Sequence, residues 1–333
     1  MQTTRVRRHR AAGLFVLVAL AMSTGCAPDE ASPKKPPHTL TSFPQPDSAA
    51  TTEPTTEPTA SDLPSIAPEP ADTVTKVLVF IEENHSLGQM KSGMPFAFSL
   101  AKQFGYSDNF VAIRHPSLPN YIAIAGGSTY GIDSNDGPGS NKAVRGASVF
   151  GQAIAAGKTA ILYADGMPSN CHGSNGGNRY GIRHNPWPYF VAERNLCKQF
   201  DVSTATLGRD IAAGQLPNVG LVVPNNCNNA HDCSLGNADK WFKQWVPQIF
   251  NGPDWKSGHL AVILTADEDD KNSGNKVLTV VIHPSQKGNL VRSKLTHFSL
   301  SRLLSEVTGS PPLLEANNAP SMSQAFGLKL SAS

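Results

Sequence analysis

Five apolar runs of strand length decide what this chain can fold into. Residues 77–81, 160–163, 219–223, 260–265 and 277–282 are rich in Val, Ile and Leu and carry no regular polar alternation. That pattern belongs to strands covered on both faces, because a strand with one wet face alternates apolar and polar residues. Stretches of helical character fall between them, near residues 95–104, 148–156, 206–213, 237–250 and 297–308. Strand and helix in this alternation predict an α/β domain with a mostly parallel sheet and helices on both sides.

Three of the runs lead straight into polar clusters. Ile81 is followed by Glu82-Glu83-Asn84-His85, Val223 by Pro224-Asn225-Asn226, and Thr265 by Ala266-Asp267-Glu268-Asp269-Asp270. Open α/β sheets bind ligands beyond the carboxyl ends of their strands, so the three clusters are expected to converge on one crevice.

The N-terminal residues differ in character. Arg5, Arg7, Arg8 and Arg10 precede an apolar run over residues 11–22 and then Ser23-Thr24-Gly25-Cys26. The run is too short to cross a bilayer of about 30 Å, and its basic start and small-residue end read as a secretory signal over residues 1–26. Gly25-Cys26 resembles a bacterial lipobox, which makes Cys26 a candidate for lipidation and implies a lipid anchor in the outer face of the cell membrane. Ser23 in place of the usual Leu leaves plain cleavage and secretion as the other outcome. Residues 27–73 hold eleven of the chain's 26 prolines and eight acids against Lys34 and Lys35. Such a segment cannot bury a core and reads as an extended tether.

Residues 74–333 are ample for one compact domain. Its mild basicity suits anionic substrates, and no nucleic acid is expected as a partner. Cys171, Cys197, Cys227 and Cys233 lack any C-x-x-C spacing. In an exported chain two disulfides are expected, most simply Cys171–Cys197 and Cys227–Cys233.

Arg114-His115-Pro116-Ser117-Leu118-Pro119-Asn120-Tyr121 introduces an apolar stretch that stops at Gly126-Gly127, which predicts a short buried helix with Ser117 at its entrance. Two roles compete there. A serine at a helix start can cap free backbone N–H groups. The same N–H groups and the positive end of the helix dipole favour a phosphate, with the hydroxyl in reach of its phosphorus.

Four consecutive acids after an apolar strand repel one another unless they are solvated or hold a cation. Asp267 and Glu268, nearest the sheet, are the candidate metal ligands, with Glu83 and Asn84 as further oxygen donors. Asp269 and Asp270 are expected in an exposed turn. His115, His184, His231 and His297 lie in polar contexts, where imidazole can neutralise phosphoryl oxygens or move protons. His259 and His283, at strand edges, read as structural. His231-Asp232 falls inside the expected Cys227–Cys233 loop.

Glu82 to Ser86, His115 to Tyr121, Arg183-His184-Asn185-Pro186-Trp187, Val223-Pro224-Asn225 through His231-Asp232, and Thr265 to Asp270 follow in an order that resembles the bacterial phosphoesterase family. That family groups phospholipases C and acid phosphatases with the alkaline-phosphatase superfamily, and the likeness extends to mycobacterial secreted acid phosphatases that act on phosphoinositides. It runs from about Lys76 to Leu328 and includes Thr296-His297 and Asn317-Asn318-Ala319-Pro320. The resemblance implies an alkaline-phosphatase-like, three-layer α/β/α sandwich. It places the metal site at Glu83, Asn84, Asp267 and Glu268, the nucleophile at Ser117, and polar positions around the phosphate at His115, His184, His231, Asp232 and His297. Beside these, Asn120 is expected to bind substrate. Two departures stand out: Ala266 replaces a Trp usual before the Asp-Glu pair, and Asn229-Ala230 replaces an Asp-Met common before His-Asp.

The resulting expectation is an exported phosphoric ester hydrolase. Foremost is a phosphomonoesterase acting on a phosphorylated small molecule or lipid head group, with a serine nucleophile and a divalent ion among Mg, Mn and Ca. A phosphodiesterase of phospholipase C type and a non-catalytic phosphate- or metal-binding lipoprotein are the alternatives.

Overall fold

The computed structural model describes residues 72–139 and 142–331. The expected signal, Cys26 and the tether up to residue 71 lie outside the described residues. Asp72 and Thr73 already belong to the folded domain. Asp72 ion-pairs with Lys329, and β1 (Thr73–Val74) pairs in parallel with β11 (Lys329–Leu330).

The main sheet contains β2 (Lys76–Glu82), β3 (Gly105–Val111), β4 (Ala160–Ala164), β5 (Asp201–Ser203), β6 (Val219–Val223), β7 (Leu260–Ala266), β8 (Lys276–Ile282), β9 (Asn289–Val291) and β10 (Leu295–Thr296). Their order is β10-β3-β8-β7-β2-β6-β4-β5, with β9 also paired to β3. Among these strands β8 runs antiparallel to its neighbours β3 and β7, and the remaining pairs are parallel. All five apolar runs are strands, and every residue of β6 and β7 is buried. β3 escapes a search for apolar runs. Its Gly-Tyr-Ser-Asp-Asn-Phe-Val mixes buried and half-buried positions, and its pairing shifts register between Ser107 and Phe110.

Two helical groups cover the sheet. α1 (Leu87–Gly93), α2 (Pro95–Gln103), α6 (Leu207–Ala213), α7 (Leu235–Asn251) and α8 (Pro253–Lys256) pack with one another, as do α3 (Ser117–Gly126), α4 (Val149–Ala155), α9 (His297–Glu306) and α10 (Met322–Phe326). α5 (Arg194–Phe200) lies beside β4 and β5. This is the three-layer α/β/α sandwich. Phe80 of β2 anchors one side, meeting Phe242 and Trp241 of α7 edge-on at 5.1 and 6.2 Å. Both expected disulfides, Cys171–Cys197 and Cys227–Cys233, are present.

All ten residues of α3 are buried. Each fully buried Leu or Ile contributes about 1.5–3 kcal/mol, so Leu118, Ile122 and Ile124 hold the helix, and with it Ser117, in place. α3 stops at Gly127, whose φ of 65° is left-handed. An added Cβ there would come within 2.3 Å of the Leu313 carbonyl oxygen. Gly131 has a similar φ of 72° but open space around it. Denaturant titration should therefore show Gly127→Ala losing more than about 1 kcal/mol, beyond the backbone cost that Gly131→Ala alone carries.

Candidate active site

β2 and β7 are in register at their carboxyl ends, with Ile81 opposite Thr265 and Glu82 opposite Ala266. The residues that follow, Glu83-Asn84 and Asp267-Glu268, are therefore neighbours. Asn84 turns the chain with a φ of 53°, a conformation asparagine tolerates better than most residues. Its N–H donates to Asp267 Oδ1 at 3.1 Å, and the Glu268 N–H donates to the same oxygen at 2.7 Å. Asp267 Oδ2 and Asn84 Oδ1 are buried without a hydrogen-bond partner. Glu82 is buried too, with both oxygens unpaired; burial, reinforced by Glu83 and Asp239, pushes its pKa well above the carboxylate range.

Glu83 is the meeting point. Ser117 Oγ donates to its Oε2 at 3.1 Å, the Tyr121 hydroxyl donates to its Oε1, and His184 Nε2 lies 3.2 Å from Oε2. Ser117 and Tyr121, four residues apart on α3, share one helical face. Burial would raise the Glu83 pKa, but His184 and the Tyr121 hydrogen bond outweigh it and hold this carboxylate below its ordinary value. Ser117 does not cap the helix. The N-cap is Pro116, and the Leu118 N–H is taken by Asn135 Oδ1 at 3.0 Å.

The histidines have separate places. His115 lies between two acids, its Nδ1 2.9 Å from Glu268 Oε2 and its Nε2 3.1 Å from Asp269 Oδ1. His297 is buried against Phe110 and donates from Nε2 to the Asp267 carbonyl at 2.6 Å; burial pushes its pKa down to about 4. His231 Nδ1 donates to Asp232 Oδ1 at 2.6 Å, and its Nε2 accepts from Arg183 Nη2 at 2.9 Å. Asn229, at the departure from the usual Asp, is buried. Its Oδ1 accepts the backbone N–H of His231 at 2.9 Å, and its amide nitrogen lies 3.4 Å from His184 Nδ1, so it fixes the His231 backbone and orients the His184 ring. His259 and His283 bond to the Thr73 and Gly258 carbonyls, as structural residues do.

Two expectations need correction. Asp269 is not in an exposed turn. It is 1% exposed and accepts backbone N–H groups from Lys271, Ser273 and Asn275 at 2.7, 2.8 and 2.9 Å. Burial would raise its pKa, but these donors hold it below the ordinary value. Asp270 is half-buried and accepts from Gln89 at 3.1 Å. Asn120 is not open to substrate. It is fully buried, its Oδ1 accepts from the Ile113 and Arg114 N–H groups, and its Nδ2 donates to the Arg114 and Pro116 carbonyls and to Glu268 Oε2. It ties the backbone before Ser117 to Glu268.

A cleft of about 410 Å³ opens over this cluster, lined by Asn84, Ser117, Asn135, His231 and the Glu268–Lys271 turn. A larger hollow of about 600 Å³ near Glu306 and Ser321 holds none of these groups. The donor set beneath the cleft fits a hard cation: all four candidate ligands offer oxygen, and two of the oxygens are buried and unpaired. Among the described residues, the cluster of three His, Cys, Asp or Glu donors within 4.8 Å is instead Cys171, Cys197 and Asp201, whose sulfurs are joined in a disulfide.

Residues 79–310 match the phosphoesterase family. The chain belongs to that family. As a phosphoesterase it is 27% identical over 258 residues to a phosphatidylinositol-3-phosphatase of Mycobacterium tuberculosis, covering 77% of this chain and 84% of that protein. It is 30% identical over 229 residues to an acid phosphatase of Aspergillus fumigatus, covering 64% of this chain and half of that longer protein. The solved structure of a 2-O GAG sulfatase superposes with a TM-score of 0.52 at 9% identity, over 78% of this chain and 76% of that one. At that identity the likeness concerns the fold alone.

Several groups at the candidate site give little or no sign of themselves in the sequence. Tyr121 reads as core, although its four-residue spacing from Ser117 puts it on the same face. Asn135 carries no local signal, and Arg183 stands in a motif that assigns it no role. The pKa of Glu268 is pushed up from 4.5 to about 8, by burial first and then by Glu83. Because its folded pKa exceeds its unfolded one, its contribution is complete below about pH 4.5 and disappears as pH rises through about 8. In chelator-containing buffer the melting temperature should therefore fall across this interval. Glu268→Gln should flatten the slope, and an unaltered slope would refute the assignment.

Proposed function

We propose that this phosphoester hydrolase is a phosphomonoesterase working by double displacement through Ser117. One observation carries the reading: Ser117 Oγ, at the buried entrance of α3, donates to Glu83 Oε2 at 3.1 Å and leaves the helix N-terminus to Asn135. A hydroxyl used only as a cap has no need of a buried carboxylate. One bonded to it has an acceptor for its proton.

Glu83, Asn84, Asp267 and Glu268 would hold a divalent ion such as Mg, Mn or Ca, with Asn84 Oδ1 and Asp267 Oδ2 open to it. Such an ion, when bound, neutralises phosphoryl oxygens and makes a hydroxyl more acidic. Ser117 attacks phosphorus, the bond to the alcohol oxygen breaks, and water later releases phosphate from the serine. The start of α3 adds positive potential where charge accumulates. Both nitrogens of His115 face acids and His297 is tied to the Asp267 carbonyl, so His231, oriented by Asp232, is the group that exchanges protons with alcohol and water.

The mycobacterial relative's name, phosphatidylinositol-3-phosphatase, supports a phosphorylated lipid head group as substrate. Two disulfides support export. A signal over residues 1–26, with an anchor at Cys26, completes this reading.

Ser117→Ala should lower turnover of p-nitrophenyl phosphate by about a thousandfold or more, with the melting temperature little changed. Loss of a cap would cost only about 0.5–2 kcal/mol of stability and spare the rate. Wild-type enzyme should turn over this monoester faster than bis-p-nitrophenyl phosphate; the reverse order would indicate a diesterase.

A further inference from the structure

His231 lines the cleft beside Ser117, yet the nitrogen it needs for proton transfer is covered. Its Nδ1–H donates to Asp232 Oδ1, which leaves Nε2 as the acceptor, and Arg183 Nη2 donates to Nε2 at 2.9 Å. A ring nitrogen that accepts from a guanidinium cannot at the same moment take a proton from water or give one to an alkoxide. Without substrate, the proton-transfer group is closed off.

The bond that covers it makes little use of Arg183. A guanidinium carries five N–H donors in a fork that matches two oxygens of a phosphate. Here one donor meets a neutral ring nitrogen, and among the described residues Arg183 forms no other hydrogen bond and no ion pair. Its backbone is well held, because it sits in the short turn Ile182–His184, next to the histidine that contacts Glu83. The cleft meanwhile presents Glu268, Asp269 and Asp270, with Lys271 among them. A phosphoryl dianion entering it meets carboxylates and needs cationic partners from the protein.

We propose that Arg183 is a substrate-binding residue that leaves His231 Nε2 for the phosphoryl oxygens, so that arrival of the phosphate itself uncovers the proton-transfer nitrogen. The exchange is downhill, since phosphate offers the guanidinium two anionic oxygens for a bidentate pair of bonds, where the neutral ring nitrogen offers a single lone pair. Recognition and activation are then one event: a molecule without a phosphoryl group leaves Nε2 covered. This inference rests on the reading of the cleft as a phosphomonoesterase site.

Inorganic phosphate tests it directly, by calorimetric titration of the purified protein and by imidazole ¹⁵N resonances of His231. Arg183→Gln should weaken phosphate binding about ten- to a hundredfold, with Arg183→Lys between it and wild type. Phosphate should move the His231 Nε2 resonance in the wild type, and in Arg183→Gln the resonance should already have moved without phosphate. Unchanged phosphate affinity in Arg183→Gln, or an Nε2 resonance that phosphate does not move, overturns the proposal. A raised KM confined to substrates with a second phosphate, at unchanged phosphate affinity, also overturns it. Should Arg183→Gln not fold, wild-type affinity in Arg183→Lys overturns it equally. Neither measurement depends on the nucleophile: if Ser117 has the wrong role, Ser117→Ala keeps its turnover while phosphate affinity still depends on Arg183.

Discussion

A carboxylate removed from water costs several kcal/mol unless its oxygens are bonded, and Glu83 draws its partners from three distant parts of the chain. Ser117 and Tyr121 come from α3, His184 from the turn before Trp187, and the Glu83 N–H is fixed by the Asn229 carbonyl at 2.8 Å. None of these contacts is local in sequence. The site forms when α3, that turn and the disulfide-closed loop all reach the end of β2, so the chemistry depends on the completed sheet and its layers.

A second constraint is repulsion. Asp267 follows a wholly buried strand, and burial, followed by Glu83 and Glu268, raises its pKa well above the usual range. The protein relieves this crowding in two ways. Asp269 is turned into a scaffold for its own loop by three backbone N–H groups, and His115 lies against both Glu268 and Asp269. Among the four proposed ligands, two oxygens, on Asn84 and Asp267, are buried and unpaired. Buried polar atoms without partners are uncommon in native proteins and call for a reason. A cation that satisfies both oxygens while lowering the mutual repulsion is a sufficient one.

Much of this is legible in the amino-acid sequence, because the strongest signals are physical. A strand with no wet face has to be central, and β2, β6 and β7 are, with their polar clusters at one end of the sheet. What stays hidden is whatever depends on register or on side-chain direction. β3 is an inner strand whose polar residues mask it. Asp269 reads as solvated because adjacency to Lys271-Asn272-Ser273-Gly274 suggests an open turn; the carboxylate instead organises that turn from within. Asn120 reads as facing substrate because it stands near Ser117, yet one helical turn closes its amide onto the preceding backbone. Arg183 belongs to a motif that gives it no role, and only the fold puts it on His231.

The central claim is a covalent phosphoserine at Ser117. Its most direct measure is acid quenching during turnover of p-nitrophenyl phosphate, followed by peptide mass spectrometry and by the stereochemical course at phosphorus with a chiral substrate. A phosphoryl group on the peptide that carries Ser117, with net retention from two successive displacements, is the expected result. Inversion at phosphorus without an adduct, or phosphate recovered on a histidine peptide, would contradict it.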